Sequence, residues 1–370
     1  MEQQPAVSVV MPIYNAEPFL REALDSAVSQ TLKNIEIVCV NDGSKDASLQ
    51  IINEYASKDE RIVVLDRPNG GYGKGMNAGI NAARGEYIAI LEPDDFILPT
   101  MYEKLYGIAK KYDLDFVRSD YNRFVTNKNN DRVFTRVKVI SDEDKYGRVL
   151  NPQEDLSLFN ARMENWTGIY KHSFLQNNNI VFNESPGAAF QDNGFWFQTY
   201  CWATKIAYYD EAFYCYRTDN SASSINQTDK VFVMLDEYKW IENWLRSHPD
   251  LCKKFIGIFQ YKKTHNCEFA FSRLAEQFQL PFLERYSSEY RDAFKRNEID
   301  ESLFWPDELI RLEEIVSDPR LYLEKYKEGK TDSQQFNTAA NKGKVALFRY
   351  YVKTQGLGVA IKLALKSIFK

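Results

Sequence analysis

Cysteine and histidine are scarce in this sequence, and neither forms a recognisable disulfide or metal-binding pattern. The five cysteines are an odd number without any Cys-x-x-Cys spacing, so neither a disulfide framework nor a zinc ribbon is expected. A histidine-rich metal site or a Ser-His-Asp triad would have to use His172, His248 and His265, none of which lies in a recognisable motif. This composition fits a protein of a reducing compartment.

Long apolar segments and an excess of positive charge are also missing. No run of about 18 apolar residues occurs, so a transmembrane helix is not expected. The N-terminus lacks a basic region followed by an apolar stretch, so no signal peptide is expected either. The formal net charge of −5 gives no overall basic field for nucleic acid. We therefore expect a cytoplasmic protein that does not bind nucleic acid.

The chain does contain enough apolar material for a large core. Of its 370 residues 44% are hydrophobic and 27% are charged, as in ordinary globular proteins, which excludes disorder throughout. This length predicts roughly two to three domains. The aromatic fraction of 14% is high, and it fits either a dense core or pockets lined by aromatic rings for flat ligands.

Strand and helix patterns alternate between residues 7 and 110. Four short apolar runs are predicted strands: residues 7–11, 35–40, 61–65 and 87–91. Helical spacing of apolar residues separates them, which predicts a mostly parallel α/β sheet. A polar cluster follows each predicted strand: Tyr14-Asn15, Asn41-Asp42-Gly43-Ser44, Asn69-Gly70-Gly71 and Glu92-Pro93-Asp94-Asp95. Since ligands bind at the carboxyl ends of such strands, these clusters predict a single site.

Two of these clusters invite specific interpretations. The Gly-rich stretch 70–75 is not a Walker A loop, because Lys74 is followed by Gly75, and no dinucleotide fingerprint follows the first strand. It is either a mobile turn or a helix N-terminus that approaches a diphosphate. The carboxylates of Glu92, Asp94 and Asp95 either bind a hard divalent cation or, through Asp95, cap the next helix.

The remainder of the chain changes character twice. Residues 115–225 mix short strands with an aromatic-rich helix near 190–203, and from residue 229 onward the pattern is helical and charged. We therefore expect four parts: two halves of about 1–110 and about 111–225, which together form one domain 1–225, then a helical region 226–340 and a tail 341–370.

Seven segments of the sequence, in order and at family spacing, resemble the family 2 glycosyltransferases. They are VSVVMPIYNAEPFLREALDSAVSQT, IEIVCVNDGSKDAS, RPNGGYGKGMNAG, ARGEYIAILEPDD, NWTGIYKHSFL, QDNGFWF and YCYRTDNSAS, and together they span about 225 of the 370 residues. The resemblance implies an inverting enzyme with the GT-A fold, a Rossmann-like, mostly parallel sheet flanked by helices, here with a C-terminal helical region. It further implies that 1–225 is the catalytic domain, with a nucleotide-binding half of about 1–110 and an acceptor half of about 111–225.

The resemblance also implies roles for particular residues. Residues implied to bind the nucleotide-sugar are Pro12, Tyr14, Asp42, Asn69, Lys74, Glu92 and Arg217. Asp94, with Asp95 beside it, would hold Mn²⁺ or Mg²⁺ on the donor diphosphate, and Asp192 matches the catalytic base of the family. Three positions depart from the family pattern: Glu92 replaces an Asp, Gln191 replaces the acid that normally precedes the base, and Met76 stands where many relatives have an Arg, whose charge Lys74 would supply.

The implied activity is metal-assisted transfer of a hexose or N-acetylhexosamine from a nucleotide-sugar, with UDP-sugars favoured, to a glycan, lipid-linked or protein-linked acceptor. A sugar-1-phosphate nucleotidyltransferase is an alternative, but it would show a Gly-rich phosphate signature directly after the first strand. A catalytically inactive sugar-nucleotide-binding or scaffold protein is another. Its only support is the pair of departures at Glu92 and Gln191.

The tail 341–370 is basic and amphipathic. It carries seven positive and no negative charges, and Lys362, Lys366 and Lys370 recur at every fourth residue. Such a segment either lies on an anionic membrane surface or packs on its own protein with the lysines toward water. The first alternative predicts peripheral attachment to the inner face of the plasma membrane.

Overall fold

The computed structural model describes residues 4–188, 190–220 and 231–355. The chain divides into two compact units. The first unit comprises Met1–Gln227 with Asp236–Trp244, and the second comprises Thr228–Leu235 with Leu245–Lys370.

The first part of the first unit alternates strands and helices, as the sequence predicts. Its elements are β1 (Val7–Ile13), α1 (Glu17–Val28), β2 (Ile35–Asp42), α2 (Ser48–Ala56), β3 (Ile62–Arg67), α3 (Tyr72–Ala82), β4 (Tyr87–Ile90), β5 (Phe96–Ile97) and α4 (Met101–Tyr112). The apolar runs form strands because they are buried: every residue of β2 is inaccessible to solvent or nearly so. Each large aliphatic side chain buried in this way stabilises the fold by roughly 1.5–3 kcal/mol.

The second part of the first unit has longer strands and fewer helices. Its elements are β6 (Phe116–Thr126), β7 (Arg132–Val137), β8 (Gly168–Lys171), α5 (His172–Asn177), α6 (Gln191–Trp202) and β9 (Ile206–Arg217). The aromatic-rich helix predicted near 190–203 is confirmed as α6. The hairpin of β6 and β7 was not predicted, since the sequence indicated only short strands between residues 115 and 225.

All nine described strands join one sheet in the order β3-β2-β1-β4-β8-β6-β9-β5, with β7 added at β6. The strands β3, β2, β1 and β4 are parallel, whereas β8 runs antiparallel to both β4 and β6. The predicted α/β fold class is therefore confirmed, with its parallel part in the first half. The register sets Ile13 beside Asn41 and Val10 beside Ile90, so the strand-end clusters meet at one edge.

The second unit is helical, as the sequence predicts. The helices from residue 233 onward are α7 (Val233–Arg246), whose residues 236–244 belong to the first unit, α8 (Pro249–Phe271), α9 (Glu276–Lys295), α10 (Pro306–Ser317), α11 (Pro319–Lys327), α12 (Asp332–Asn341) and α13 (Lys344–Gln355). Local chemistry sets several starts: Asp318 caps α11, and Thr331 forms a capping box with Gln334 on α12.

Within the described residues, no helix has both the length and the apolar character that crossing a membrane requires. The tail predicted from residue 341 is described only as far as α13. Lys362, Lys366 and Lys370 lie outside the described residues.

Candidate functional site

Asp42 at the end of β2 holds the Gly-rich loop in place. Its two carboxylate oxygens accept hydrogen bonds from the backbone N–H groups of Gly70 (3.0 Å) and Gly71 (2.8 Å), and the Asn69 side chain donates to its carbonyl (3.0 Å). Gly71 has φ of +91°, which glycine adopts without strain. Asp42 and Asn69 were predicted to bind the nucleotide-sugar; in the structure their hydrogen bonds organise the loop.

We expect Asp42→Ala to weaken UDP binding by about 1–3 kcal/mol, because the variant removes the acceptor that fixes the loop through the partly buried Gly70 N–H and the buried Gly71 N–H. The dissociation constant for UDP, measured by calorimetry, checks this. Asp59→Ala is a suitable control, since Asp59 pairs with Arg61 before the start of β3, at the opposite edge of the parallel sheet. An unchanged dissociation constant for Asp42→Ala would remove this residue from the site.

The Gly-rich stretch is an ordered helix start that packs against another backbone segment. A Cβ atom at Gly73 would lie 1.8 Å from the carbonyl oxygen of Asn183, and the Tyr72 N–H donates to the Gly187 carbonyl (2.9 Å). Only glycine at position 73 permits this approach. Residues 72–75 therefore form the first turn of α3, and Asp42 holds the two glycines before it. Lys74, predicted to supply positive charge, lies on α3 with its side chain exposed.

Pro12 and Tyr14 lie where β1 ends. Pro12 is paired with Val40 on β2, and Tyr14 follows the strand with 51% of its surface exposed. Neighbouring Asn15 adopts a left-handed conformation and accepts a hydrogen bond from the Lys45 N–H (2.7 Å). An exposed ring beside an ordered strand end is available to stack on a flat ligand.

Glu92, just after β4, is enclosed by two tyrosines. The Tyr72 hydroxyl donates to its carboxylate (2.8 Å), and its own N–H donates to the Tyr214 hydroxyl (3.0 Å). Burial raises the pKa of Glu92 to about 8, and repulsion from Asp94 and Asp192 acts in the same direction. The strand-end cluster and Asp192 therefore lie within electrostatic reach of one another.

Asp95 is buried, and its hydrogen bonds link the end of β4 to β9. Its oxygens accept from the Tyr214 hydroxyl (2.8 Å) and from the Arg217 N–H (2.7 Å). Burial, with repulsion from Asp94, raises the pKa of Asp95 well above its usual range. Asp95 was predicted as a metal ligand; here protein donors already contact both of its oxygens.

Asp94 is better suited to hold a cation. The Asn220 side chain donates to Oδ2 (2.8 Å), and Asp94 lies between two other carboxylates that repel it. Among the described residues, no group of three or more acidic, cysteine or histidine side chains forms a complete metal cage. Mg²⁺ commonly uses one or two carboxylates together with substrate phosphates, so this donor set fits a cation that is shared with a diphosphate.

Arg217, at the end of β9, supports the acidic turn. It is only 8% exposed, its Nε donates to the Asp94 carbonyl (2.9 Å), and Nη2 donates to Glu22 (2.8 Å). The rings of Phe19 and Phe124 each lie 4.7 Å from its guanidinium carbon. Arg217 was predicted to bind the nucleotide-sugar, and in this arrangement its guanidinium forms an ion pair with Glu22.

Asp192 lies in the first turn of α6, where the helix dipole favours an anion. Its Oδ1 accepts from the Asn193 N–H (3.1 Å), and the Asn165 side chain donates to its carbonyl (2.7 Å). Burial and repulsion from Glu164 raise the pKa of Asp192 to about 6. A carboxylate with this proton affinity suits a general base near neutral pH.

Gln191, which replaces an acid of the family pattern, stabilises the preceding loop. Its side-chain amide donates to the Ser185 hydroxyl (3.0 Å) and to the Gly187 carbonyl (3.3 Å). Gly187 is the residue whose carbonyl accepts from Tyr72. Through the Gly187 carbonyl, the uncharged Gln191 side chain therefore connects the loop before Asp192 to the start of α3.

Several contributors to the site were not singled out from the sequence. Tyr72, Glu164, Asn165, Trp166 and Tyr214 all contact or flank the predicted residues. Trp166 stacks on Tyr214 with ring centroids 4.1 Å apart. The segments NWTGIYKHSFL and YCYRTDNSAS carried part of the signal, but their contacts join residues from 27 to 122 positions apart, which no local pattern reveals.

Comparison with known proteins gives a family match and several relatives. The model of glycosyl transferase family 2 matches residues 8–191. The uncharacterised glycosyltransferase EpsJ of Bacillus subtilis is 33% identical over 228 residues, which are 60% of this chain and 64% of EpsJ, so the match spans less than two thirds of that relative. The glycosyltransferase GlyG of Streptococcus pneumoniae is 32% identical over 60% of this chain and 73% of its own length.

Among solved structures, the chain is similar in fold to S. aureus TarS. The structure of TarS 1–349 in complex with UDP-GlcNAc superposes with a TM-score of 0.65 at 20% sequence identity, covering 88% of this chain and 92% of that one. At this identity the similarity shows a shared fold, and the 88% of this chain that it covers includes residues of both units.

Proposed function

The chain belongs to glycosyl transferase family 2, and from that premise we propose that it transfers a sugar from a UDP-sugar to a hydroxyl of a glycan, glycolipid or glycoprotein, with inversion. The observation that carries the proposal is Asp192, a carboxylate with a raised pKa of about 6 at the start of α6, within electrostatic reach of the acidic turn after β4. The transferred sugar is proposed to be a hexose or an N-acetylhexosamine.

Asp192 would accept the proton of the acceptor hydroxyl as that oxygen attacks the anomeric carbon. A hydroxyl is a weak nucleophile, and a positioned base typically accelerates such a step by about 10²–10⁴-fold. Direct displacement inverts the anomeric centre without a covalent enzyme intermediate. A second catalytic carboxylate, as in a retaining glycosidase, is then unnecessary.

Asp94 would hold Mn²⁺ or Mg²⁺, while Asp95 and Arg217 keep the turn in its conformation. The cation, when bound, neutralises negative charge on the leaving diphosphate. Pro12 and Tyr14 would flank the base, and the loop that Asp42 organises would line the donor site, with Asn69, Lys74 and Glu92 nearby. The UDP-GlcNAc bound by S. aureus TarS supports a UDP-sugar donor.

A panel of sugar nucleotides, scored for donor hydrolysis and for transfer with and without Mn²⁺, tests this function. We expect one UDP-sugar to be turned over well above the others, and only when the cation is present. Release of a sugar-1-phosphate with consumption of pyrophosphate would instead identify a nucleotidyltransferase. Binding of a sugar nucleotide without any turnover across glycan and lipid-linked acceptors would indicate an inactive binding protein.

We further propose that the basic tail attaches the enzyme to anionic membranes, where lipid-linked acceptors are found. We expect a variant with Lys362, Lys366 and Lys370 replaced by Gln to lose sedimentation with phosphatidylglycerol vesicles at low salt, since each lysine near such a surface contributes about 1 kcal/mol. Replacement of three exposed lysines elsewhere is the matched control: Lys58, Lys253 and Lys295. Failure of the unaltered protein to sediment would contradict the membrane proposal.

A further inference from the structure

A short turn, residues 164–167, adjoins the start of α6. Its backbone is fixed by the buried Arg118, whose Nη2 donates to the Glu164 carbonyl (2.7 Å) and whose Nε donates to the Thr167 hydroxyl (3.0 Å). From the same turn, Asn165 reaches across and donates to the Asp192 carbonyl (2.7 Å). The turn and the helix start that carries Asp192 are therefore held in one arrangement.

Glu164 is the charged residue of this turn. Its Oε1 accepts from the Tyr121 hydroxyl (2.8 Å) and lies 3.9 Å from Arg162. Its Oε2 is buried, and among the described residues no hydrogen-bond donor reaches it. Leaving a buried carboxylate oxygen without a donor costs folding free energy. A side chain that is kept in this state is therefore a candidate for a functional role.

We propose that Glu164 is a positioning residue for Asp192: a second carboxylate, held by Tyr121 on the turn that Asn165 joins to the start of α6, whose negative charge acts on the carboxylate of the base. Glu164 is thereby an acidic neighbour of the base. Position 191, where the family pattern has an acid, is Gln in this chain, and its amide donates to the Ser185 hydroxyl. This inference rests on the proposed function, since it concerns the same base.

The direction of the effect follows from like-charge repulsion. Charge on Glu164 disfavours ionisation of Asp192 and so raises the pKa of Asp192, although burial is the larger cause. Within the described part of the chain, the other titratable groups that interact with Asp192 are Glu92, Tyr72 on α3 and Glu237 on α7. Because the rate requires ionised Asp192, removal of the Glu164 charge shifts the acid limb of kcat/KM to lower pH.

The test is direct titration of Asp192 in the full chain without metal or substrate. Aspartate is labelled with ¹³C at the carboxyl carbon, and the Asp192 resonance is assigned by its loss in Asp192→Asn. We expect a midpoint of about 6 in the unaltered protein, and one lower by about 0.5–1 pH unit in Glu164→Gln. Glu164→Asp keeps the charge one methylene farther back, so its midpoint is expected between these two.

Glu184→Gln is the matched control, because Glu184 is exposed and accepts from Asn77 (3.1 Å) in the loop before α6. Its midpoint is expected to equal that of the unaltered protein. Equal midpoints in Glu164→Gln and the unaltered protein would overturn the inference; if Glu164→Gln does not fold, an unshifted midpoint in Glu164→Ala, which also removes the charge, would do so. The titration needs no turnover, so lack of transferase activity would count against the proposed function alone.

Discussion

Asp94→Asn is expected to abolish sugar transfer together with the metal dependence of donor binding. The amide retains the shape of the side chain and can still accept from Asn220, but it removes the negative charge that a divalent cation requires. Calorimetric titration of UDP in the presence and absence of Mn²⁺ measures the binding part. We expect Mn²⁺ to strengthen UDP binding to the unaltered protein and to leave binding to the variant unchanged.

Asp113→Asn is the control for this variant. Asp113 ends α4 in a left-handed conformation that Asn also adopts readily, and it pairs with Lys171 on the surface. Its activity and metal dependence should match those of the unaltered protein. Full turnover of the unaltered protein in excess EDTA would show that the metal assignment is wrong, whatever the variant does.

Asp192→Asn is expected to lower kcat by roughly 10²–10⁴-fold while UDP-sugar binding stays nearly unchanged. The amide oxygen can still accept from the Asn193 N–H, and the bond from Asn165 goes to the backbone carbonyl, so the start of α6 is preserved. Only proton affinity is lost. Because that interaction matters mainly in the transition state, kcat and kcat/KM should fall together.

The pH profile separates this interpretation from a structural role. The unaltered enzyme should lose activity as the pH falls through about 6, since protonated Asp192 cannot accept another proton, and the residual activity of Asp192→Asn should lack this limb. If Asp192→Asn instead eliminated donor binding while the remaining turnover kept a normal rate, Asp192 would be a ligand of the donor. The base would then have to be another residue.

The parallel half of the sheet could be predicted from sequence because its signal is local. The apolar run of β2 must be buried on both faces to be stable, and a turn sequence ends it at Asn41-Asp42-Gly43-Ser44. The β6–β7 hairpin gave no comparable signal. Val133 and Phe134 on β7 are about half exposed, so this strand depends on pairing with β6 rather than on its own burial.

The sequence predicted where the site residues lie in the sheet better than it predicted which residues they contact. Strand ends placed Asp42 and Glu92 at the correct edge, because the register of parallel strands follows from their apolar patterns. What these carboxylates contact was decided by segments distant in sequence. Tyr214 lies 122 positions from Glu92, and Asn165 lies 27 positions from the carbonyl it binds on Asp192.

By itself, the sequence determined the alternation of strands and helices, the edge at which polar residues gather and the family to which the chain belongs, because periodicity, turn residues and motif order are all properties of neighbouring positions. Only the tertiary structure decided which carboxylates are buried, which of them repel one another and which donors they already accept from. Proton affinity depends on solvent exclusion and on charges within a few ångströms, and both arise when distant segments pack. For that reason Glu164 carried no signal in the sequence and becomes a neighbour of the base only in the folded chain.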